Sequence, residues 1–574
     1  MATVSDYIIA RLKQNNVDTL FGVPAVYCSA MYDAAARAAG FRAIVTASDL
    51  EAGYAADGYA RVRGLSAVSV AYGVGTLSLI NAVAGAYVER SPILVVNGGP
   101  SVARVDTQTR DGILFSHSMG GAHTDLVAFG PLTCWSKRVE SAANAPAMID
   151  DAIKTAIKAK HPAYIEFPQA VLGAQCPAPA GQLDLTIPAG TAAATAKTII
   201  DAIRAANSPF LIVGCEIARY GLPDRMAAIL TKLNIPWATT LLAKSSVAAD
   251  KNFKGVFNGE EAPTAVKSGL AGADLIVSLG AVFSTGHAGL FPSLDVLMRA
   301  WDGKFVDKRK PATSVHIVPL VEALRTMALT DAPLEPDAAG IKAAEKLAEI
   351  AKIELQGEAV WDGDEAPGAL AALREMVALA PPVGAGLSYD ELFSTINEPG
   401  FLDASMRIVA DTFLGIYSAA RMTLPATDSF LAGAVWASIG HSVAAGLGAS
   451  LAGGKRSVVI CGDGGFQMMA TSMSTMVREA QDVIIIVVDN GLYGYEQYLL
   501  RPSYYNVPAE NAISYATLNQ WDYLKVAEGM GVPSRHLADS VANLRTALAA
   551  AKAYRGGPSI IRAMVKSKSL PQGL

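Results

Sequence analysis

CGDGGFQMMATSMSTMVREAQDVIIIVVDNGLYGYEQ, residues 461–497, is the stretch that decides the fold class of this 574-residue chain. It includes the end of one apolar run, SVVICGDG (457–464), and a second run, VIIIVVDN (483–490), with a segment of helical composition between them. Continuous apolar runs of this length are typical of strands buried on both faces of a sheet. The stretch therefore predicts two parallel strands joined by a helix.

The same alternation of short apolar runs and helical segments extends over the chain. Further strands are predicted at 66–75, 92–99, 163–168, 210–216, 275–281, 314–319 and 559–565. A Pro-rich stretch at 176–190 and a turn-rich crossing at 361–368, after an Ala/Glu/Lys-rich tract, mark two boundaries. We predict an α/β protein with three doubly wound parallel-sheet domains, at residues 1–185, 186–360 and 361–574.

Composition excludes several classes of function. The formal charge is −5 and the sequence has no long basic run, so nucleic acid is not an expected partner. The first residues, MATVSDYIIARLKQNN, lack the order of a signal peptide, and no apolar run has the length of a membrane span. We expect a cytoplasmic protein without a membrane partner. Five cysteines without CxxC spacing argue against a disulfide framework and a zinc site.

The turn after the predicted strand at 457–464 contains the residues that indicate the chemistry. Gly462, Gly464 and Gly465 let backbone N–H groups approach an anion at the helix start, which we place near Gln467. Asp463 and Asn490 follow neighbouring parallel strands and would meet at one sheet edge. With diphosphate oxygens, a carbonyl and water they would complete the oxygen shell of Mg²⁺. A plain strand-to-helix turn with Asn490 as a strand cap is the alternative.

The spacing of this motif resembles that of a known family. GDG, 24 further residues and then DN resemble the signature of thiamine diphosphate enzymes, and the surroundings resemble the pyruvate and indolepyruvate (phenylpyruvate) decarboxylase branch. The resemblance spans nearly the whole chain and is carried by 20–27, 49–64, 71–100, 162–168, 208–222 and 461–497. It implies a pyrimidine-binding first domain, a central domain without flavin and a diphosphate-binding last domain, with the metal on Asp463, Asn490 and the main-chain carbonyl of Leu492.

The resemblance also implies where the cofactor lies. Its pyrimidine would contact one chain and its diphosphate the partner, so we expect a homodimer or a dimer of dimers, that is, a homotetramer. In WASIGHSVAAG (436–446), Ile439 would support the bent cofactor and Ala437 would offer its carbonyl to the amine. Gly75 would line the cofactor, and the Thr412 hydroxyl would donate to a phosphate oxygen. Ordinary helix starts at 436–446 and 411–412 are the alternatives.

At several proton-handling positions the sequence departs from the family. Asp49 stands where the family has the Glu that contacts the pyrimidine, and Glu51 follows two residues later. We favour Asp49, because two positions along a helix start turn a side chain well away; a helix cap is the alternative. Glu496 matches the acid that assists decarboxylation, with a surface glutamate as the alternative. Of a His pair, His117 remains and Ser116 replaces the other, with His123 a weaker candidate.

Three functions follow from this pattern. The first is nonoxidative decarboxylation of a 2-keto acid to an aldehyde, in an apolar pocket suited to an aryl or branched side chain. The pocket would include Val26, where the family has an acid, and Tyr27, Cys28, Leu414, Tyr493 and Tyr495. The second is carboligation or cleavage of hydroxyketones or diketones, favoured by the missing acids. The third is a cofactor-binding protein with little catalysis, which the Asp49 replacement permits.

Overall fold

Buried apolar strands form three separate sheets in this protein. The structure is a computed structural model and describes residues 2–121, 123–330 and 386–574. The predicted boundary at 361–368 lies outside the described residues. Three parallel α/β domains confirm the predicted fold class, and the residues between Cys176 and the helix Ala192–Ala205 form no regular strand or helix apart from a turn. None of the described helices is long and apolar enough to cross a membrane.

The first domain contains a six-stranded sheet in which all neighbours are parallel. Across the sheet its strands are Arg42–Val45, Thr19–Gly22, Ser66–Val68, Ile93–Gly99, Ala163–Pro168 and Trp135–Arg138. An antiparallel pair, Ala2–Thr3 with Gln175–Cys176, lies beside it. Its α-helices are Val4–Gln14, Ser29–Arg37, Asp49–Arg63, Val74–Val88, Val102–Asp111, Thr124–Phe129, Ala145–Ala159 and Gln169–Leu172, with 3₁₀ turns at Val26–Cys28 and Gly130–Leu132.

The last domain repeats this topology. Its parallel strands are, in order, Phe430–Ala432, Met406–Ala410, Arg456–Gly462, Ile484–Asp489, Ser559–Met564 and Ser534–Ala538. Numbered along its own domain, each sheet has the order 2-1-3-4-6-5. The described helices are Tyr389–Ile396, Ile416–Arg421, His441–Ala452, Asp463–Met469, Ser472–Arg478, Gly494–Leu500, Ser503–Asn506, Tyr523–Gly529 and Val541–Ala553, with a 3₁₀ turn at Ser514–Ala516.

The middle domain departs from a purely parallel sheet. Its parallel strands are Phe253–Phe257, Trp237–Thr240, Pro209–Val213, Leu275–Leu279 and Leu297–Trp301, and Lys304–Asp307 and Thr313–Ser314 extend the edge antiparallel. Its described helices are Ala192–Ala205, Cys215–Arg219, Pro223–Leu233, Thr264–Ala271 and Ile317–Thr330, with 3₁₀ segments at Leu241–Ala243, Gly259–Glu261 and Thr285–Ser293.

The predicted strand at 314–319 is wrong after Ser314. A helix begins at Ile317, and the His316 ring accepts a hydrogen bond from the Val318 N–H at 3.2 Å. Pro319 lies in the first turn, where a helix tolerates the missing N–H. The apolar residues that resembled a buried strand are therefore the core-facing side of a helix, with Ile317 and Leu320 buried.

The first and last domains share one apolar core. At its centre, the helices Asp49–Arg63 and His441–Ala452 cross so closely that glycine is required on both. A Cβ on Gly58 would lie 2.1 Å from the carbonyl oxygen of Ala445, and one on Gly448 would lie 1.8 Å from that of Ala55. The two topologically equivalent helices thus fix the last domain against the first.

We expect Gly448→Ala to lower the free energy of unfolding by about 1–3 kcal/mol, because the added methyl forces the helices apart. This loss of stability is opposite to the effect of intrinsic helix propensity, which favours Ala over Gly. Urea denaturation would measure the change. Gly130→Ala is the control, since nothing lies within 4 Å of its Cβ position. An equal stability of the two variants would contradict the tight crossing.

Candidate active site

Asp463 lies at the sheet edge, in contact with the next strand end. Its Oδ2 accepts hydrogen bonds from the N–H groups of Asn490, at 3.1 Å, and Gly491, at 2.6 Å. Its Oδ1 accepts from the N–H of Gly464 at 3.0 Å. An ionised carboxylate has about four lone-pair sites, so a metal ion can still bind one of its oxygens. The pairing of Gly462 with Val488 in the sheet produces this contact.

The helix begins at Asp463, not near Gln467 as predicted. Gly464 and Gly465 are its first residues rather than a preceding turn, and close packing explains them. A Cβ on Gly464 would lie 2.7 Å from the Tyr493 ring, and one on Gly465 would lie 2.4 Å from Asp411 Oδ2. Gly462 is the N-cap residue and packs on Phe413: a Cβ on Gly462 would lie 3.2 Å from the Cβ of Phe413. The helix start is therefore bare backbone, which fits a diphosphate cradle.

The Asp463 carboxyl is in an unusual electrostatic environment. Burial, followed by the negative charge of nearby Asp489, raises its pKa to about 8, although the backbone N–H groups act in the opposite direction. The Asp489 carboxylate is itself paired with Arg562, with Nε 2.7 Å from Oδ2. A buried carboxyl that is costly to ionise fits a divalent cation, whose charge would favour the ionised form.

Asn490 and Leu492 complete this half of the site. The Asn490 Oδ1 accepts from the Leu492 N–H at 3.1 Å, and its Nδ2 donates to the Tyr389 hydroxyl at 3.3 Å. These bonds orient the amide oxygen within the loop that also carries the Leu492 main chain. The metal-ligand roles of Asp463, Asn490 and Leu492 remain predictions that this local arrangement fits.

Asp411 lies in the turn 411–412 that resembles the family's diphosphate-contacting turn, but the sequence did not predict its contacts. It is buried and accepts from the N–H groups of Gly440, at 2.8 Å, and Thr412, at 2.9 Å; burial raises its pKa to about 6. It connects the end of its strand to the predicted cofactor loop. The Thr412 hydroxyl donates to the Gly433 carbonyl at 2.8 Å. Its predicted bond to phosphate therefore requires this partner to be exchanged.

The loop 436–440 is held from the first domain of the same chain. Trp436 Nε1 donates to Asn81 at 2.8 Å, and the Ser438 hydroxyl is 2.6 Å from that of Tyr54. Ala437 is exposed and has a left-handed φ of 59°, a conformation that costs a non-glycine residue about 1 kcal/mol or more and is common at functional sites. Ile439 is half-buried. The loop is thus built to present backbone at the surface.

Asp49 and Glu51 lie in different environments. Asp49 begins its helix, is partly exposed and packs beside Gly75, whose Cβ position is 3.0 Å from Asp49 Oδ1. Burial raises its pKa. Glu51 is fully buried, and its Oε2 accepts from the Ala47 N–H at 3.0 Å; burial raises its pKa, opposed by Thr475 and Arg478 of the last domain. Asp49 therefore has the accessible carboxylate.

An aromatic cluster joins the remaining candidates of the first domain. The Tyr27 and Tyr72 rings are 4.9 Å apart, and the His117 ring is 5.8 Å from Tyr72. The Tyr72 hydroxyl donates to the Ser116 carbonyl, and burial raises the pKa of Tyr72. Ser116 and His117 are exposed, as is Val26, at 70%. Cys28 is buried, and this burial raises the pKa of its thiol, with a smaller contribution from the charge of Asp49.

Glu496 and Leu414 flank the loop that carries the predicted metal ligands Asn490 and Leu492. Glu496 is exposed on the helix Gly494–Leu500. Leu414 is buried, and the Cβ position of Gly494 is 3.0 Å from Leu414 and 3.1 Å from the Asn490 amide. Tyr495 lies beside this group, with its hydroxyl 3.0 Å from that of Tyr417. His123 lies with His117 along a separate cavity of the first domain.

The candidate residues of the first domain and those of the last domain make no direct contact in the part of the chain that the structure describes. Among the residues that the structure describes, no hydrogen bond, ion pair or ring contact joins Asp49 or His117 to Asp463, Asn490 or Glu496. The helix start at Asp49 instead adjoins the last-domain helix Ser472–Arg478, whose Arg478 donates to the Val45 carbonyl. The candidate residues around Asp49 and those around Asp463 therefore form two separate groups within the described chain.

Comparison with known proteins agrees with this architecture. Models of the thiamine pyrophosphate enzymes match the chain over residues 2–119 for the N-terminal TPP binding domain, 196–325 for the central domain and 415–563 for the C-terminal TPP binding domain. Alpha-keto-acid decarboxylase of Mycobacterium tuberculosis is 28% identical over 99% of this chain and 95% of its own length. Pyruvate decarboxylase isozyme 2 of Saccharomyces cerevisiae is 26% identical over 92% of this chain and 89% of its own length.

The chain belongs to the thiamine diphosphate-dependent enzymes, in the family of the 2-keto acid decarboxylases. It is a carboxy-lyase, and thiamine diphosphate is its cofactor. These findings confirm the predicted family, enzyme class and organic cofactor. They leave the roles of individual residues as predictions.

We expect Asp463→Asn to weaken thiamine diphosphate binding in Mg²⁺ by about tenfold or more, because the variant loses an anionic metal ligand. Calorimetric titration would measure this affinity.

The free-energy cost of burying the Asp463 carboxyl grows as the pH rises from the pKa of this group in the unfolded chain to its folded pKa of about 8. Removing the charge should therefore flatten the pH dependence of apoprotein stability in this range. Asp539→Asn, on an exposed residue, is the control, and unchanged binding in Asp463→Asn would contradict the assignment.

Proposed function

We propose that this enzyme decarboxylates 2-keto acids with an aryl or branched side chain without oxidation, using thiamine diphosphate held through Mg²⁺. The contact between Asp463 and the Asn490–Gly491 backbone carries the proposal. It brings a carboxylate and an amide oxygen to one edge, beside the main chain of Leu492. Hard oxygen ligands around an open position suit Mg²⁺ and the oxygens of a diphosphate.

The chain's own residues would manage the protons. Thiamine diphosphate, when bound, accepts the electron pair released as the bond to the carboxylate breaks. Asp49 would share a proton with the pyrimidine ring nitrogen, since it is the accessible carboxylate and packs on the Gly75 backbone. The carbonyl of Ala437 would accept from the amine, and Ile439 would support the bent cofactor. Glu496 and His117 would supply protons on the substrate side.

We propose that two subunits complete each site, in a homodimer or a dimer of dimers. This follows from the separation of Asp49 from Asp463 within one chain. Exposed apolar residues near both half-sites support it, since Val74 and Met468 are each 56% exposed and Trp436 is 43% exposed. Apolar surface of this kind commonly marks an interface.

The substrate pocket would be apolar and aromatic. Val26 presents an aliphatic side chain beside Tyr27, while Leu414 and Tyr493 pack against the metal loop. None of these side chains is charged, so the pocket would favour a keto acid with an apolar body. Gas release and aldehyde from phenylpyruvate, indolepyruvate or branched keto acids, compared with pyruvate, would test this preference.

A second candidate function, carboligation through capture of an aldehyde, is favoured by one observation. The exposed Val26 and Ser116 replace two acidic or basic groups of the family pattern. With fewer proton donors, the reactive carbon would remain unprotonated longer. We expect Val26→Asp to lower the ratio of hydroxyketone to aldehyde several-fold, measured by chromatography. A ratio that does not change would argue against this explanation.

We expect Asp49→Asn to slow both carbon dioxide release and deuterium exchange of the cofactor's thiazolium proton by about 100-fold or more, as for loss of an acid–base group. Cofactor affinity should change little, because the side chain keeps its size. Glu51→Gln is the matched control: its site is buried against the last domain, so a change in stability without a comparable change in exchange rate is expected. The reverse result would assign the role to Glu51.

A further inference from the structure

The repeated topology of the first and last domains makes their helix starts comparable. In each domain a helix follows the third strand, and it begins at Val74 in the first domain and at Asp463 in the last. In the last domain this start is the diphosphate cradle described above. In the first domain the equivalent turn, residues 72–76, faces the candidate pyrimidine side through Gly75 and Asp49.

A buried carboxylate occupies the turn of the first domain. Asp125 Oδ2 accepts from the Gly73 N–H at 2.9 Å, the Thr76 hydroxyl at 2.5 Å and the Asn97 amide at 3.3 Å. Asp125 is 5% exposed, and Thr76 and Asn97 are fully buried. Among the described residues it has no ion pair, so its charge is held by neutral donors at a helix start, where the dipole favours an anion.

The turn gripped by Asp125 supports the other candidate residues of this half-site. Gly73 lies so close to His117 that its Cβ position is 2.3 Å from the His117 carbonyl oxygen. Tyr72 donates to the neighbouring Ser116 carbonyl. On its other side the turn presents Gly75 to Asp49, 3.0 Å from Cβ position to Oδ1. A shift of the turn would therefore move Asp49 and His117 relative to the cofactor.

We propose that Asp125 is an internal anion that takes, in the first domain, the place that the diphosphate takes in the last, and thereby positions the turn 72–76 for cofactor binding and proton transfer. The proposal rests on the proposed function, since it concerns the pyrimidine side of that site. Without the carboxylate, the Gly73 N–H and the Thr76 hydroxyl would lose a buried acceptor. Asp125 is thus a positioning residue that need not touch the substrate.

The test uses the full-length enzyme with Asp125→Ala, Asp125→Asn and, as control, Asp106→Ala on the exposed side of a nearby helix. Thiamine diphosphate affinity, kcat and unfolding midpoint are measured with and without sodium formate. In Asp125→Ala we expect affinity and kcat to fall at least tenfold, and formate to restore both saturably by filling the space of the carboxylate. Wild type, Asp106→Ala and Asp125→Asn should not respond to formate.

The outcomes distinguish a failure of the Asp125 proposal from a failure of the proposed function. A lower unfolding midpoint with unchanged affinity and kcat in Asp125→Ala would reduce Asp125 to a structural role and overturn the proposal. Failure of formate to restore folded Asp125→Ala would also overturn it. If Asp125→Ala does not fold, folded Asp125→Asn decides: wild-type affinity and kcat would overturn the proposal, and a loss of each of at least about threefold would support it. Absence of cofactor binding in wild type would refute the proposed function instead.

Discussion

The arrangement of the site depends on a carboxylate that accepts hydrogen bonds from the neighbouring strand. Asp463 directly follows one parallel strand and accepts hydrogen bonds from the N–H groups of Asn490 and Gly491, which directly follow the next. Parallel pairing brings these ends together, because carboxyl ends of neighbouring strands share an edge. The glycines at 462, 464 and 465 then allow Phe413, Tyr493 and Asp411 to pack directly on the backbone. The positions of the predicted metal ligands, the helix start and the strand register are thus set by the same geometry.

A second constraint is the packing of the first domain against the last. The crossing at Gly58 and Gly448 fixes the first domain on its own last domain, and the loop 436–440 is held by Tyr54 and Asn81 from the same side. Among the described residues, Asp49 makes no hydrogen bond or ion pair with the Asp463 of its own chain. The intrachain contact holds the predicted cofactor loop in place, with Ala437 exposed at its surface.

The sequence predicted the elements whose signal is local. Continuous apolar runs predicted the strand Ala163–Pro168 with both ends correct and the strand Ile484–Asp489 to within one residue at each end. The positions of Asp463 and Asn490 after neighbouring strands predicted the contact between them. Prediction failed where apolar character is shared by helix and strand, as at 314–319, and where glycines continue into a helix, as at Asp463. The contacts of Asp411 and Asp125 were missed because their partners are distant in sequence, at Gly440 and Gly73. Only tertiary packing reveals such bonds.

The shared core of the first and last domains has a further consequence for how such a chain can change over evolutionary time. Residues of both domains interdigitate in one apolar cluster, whereas most of the buried residues of the middle domain form two clusters of their own. A change within the middle domain's own clusters therefore disturbs the other two domains less than a change in their shared core would. The outer two must diverge in step, since each supplies the packing surface that the other needs.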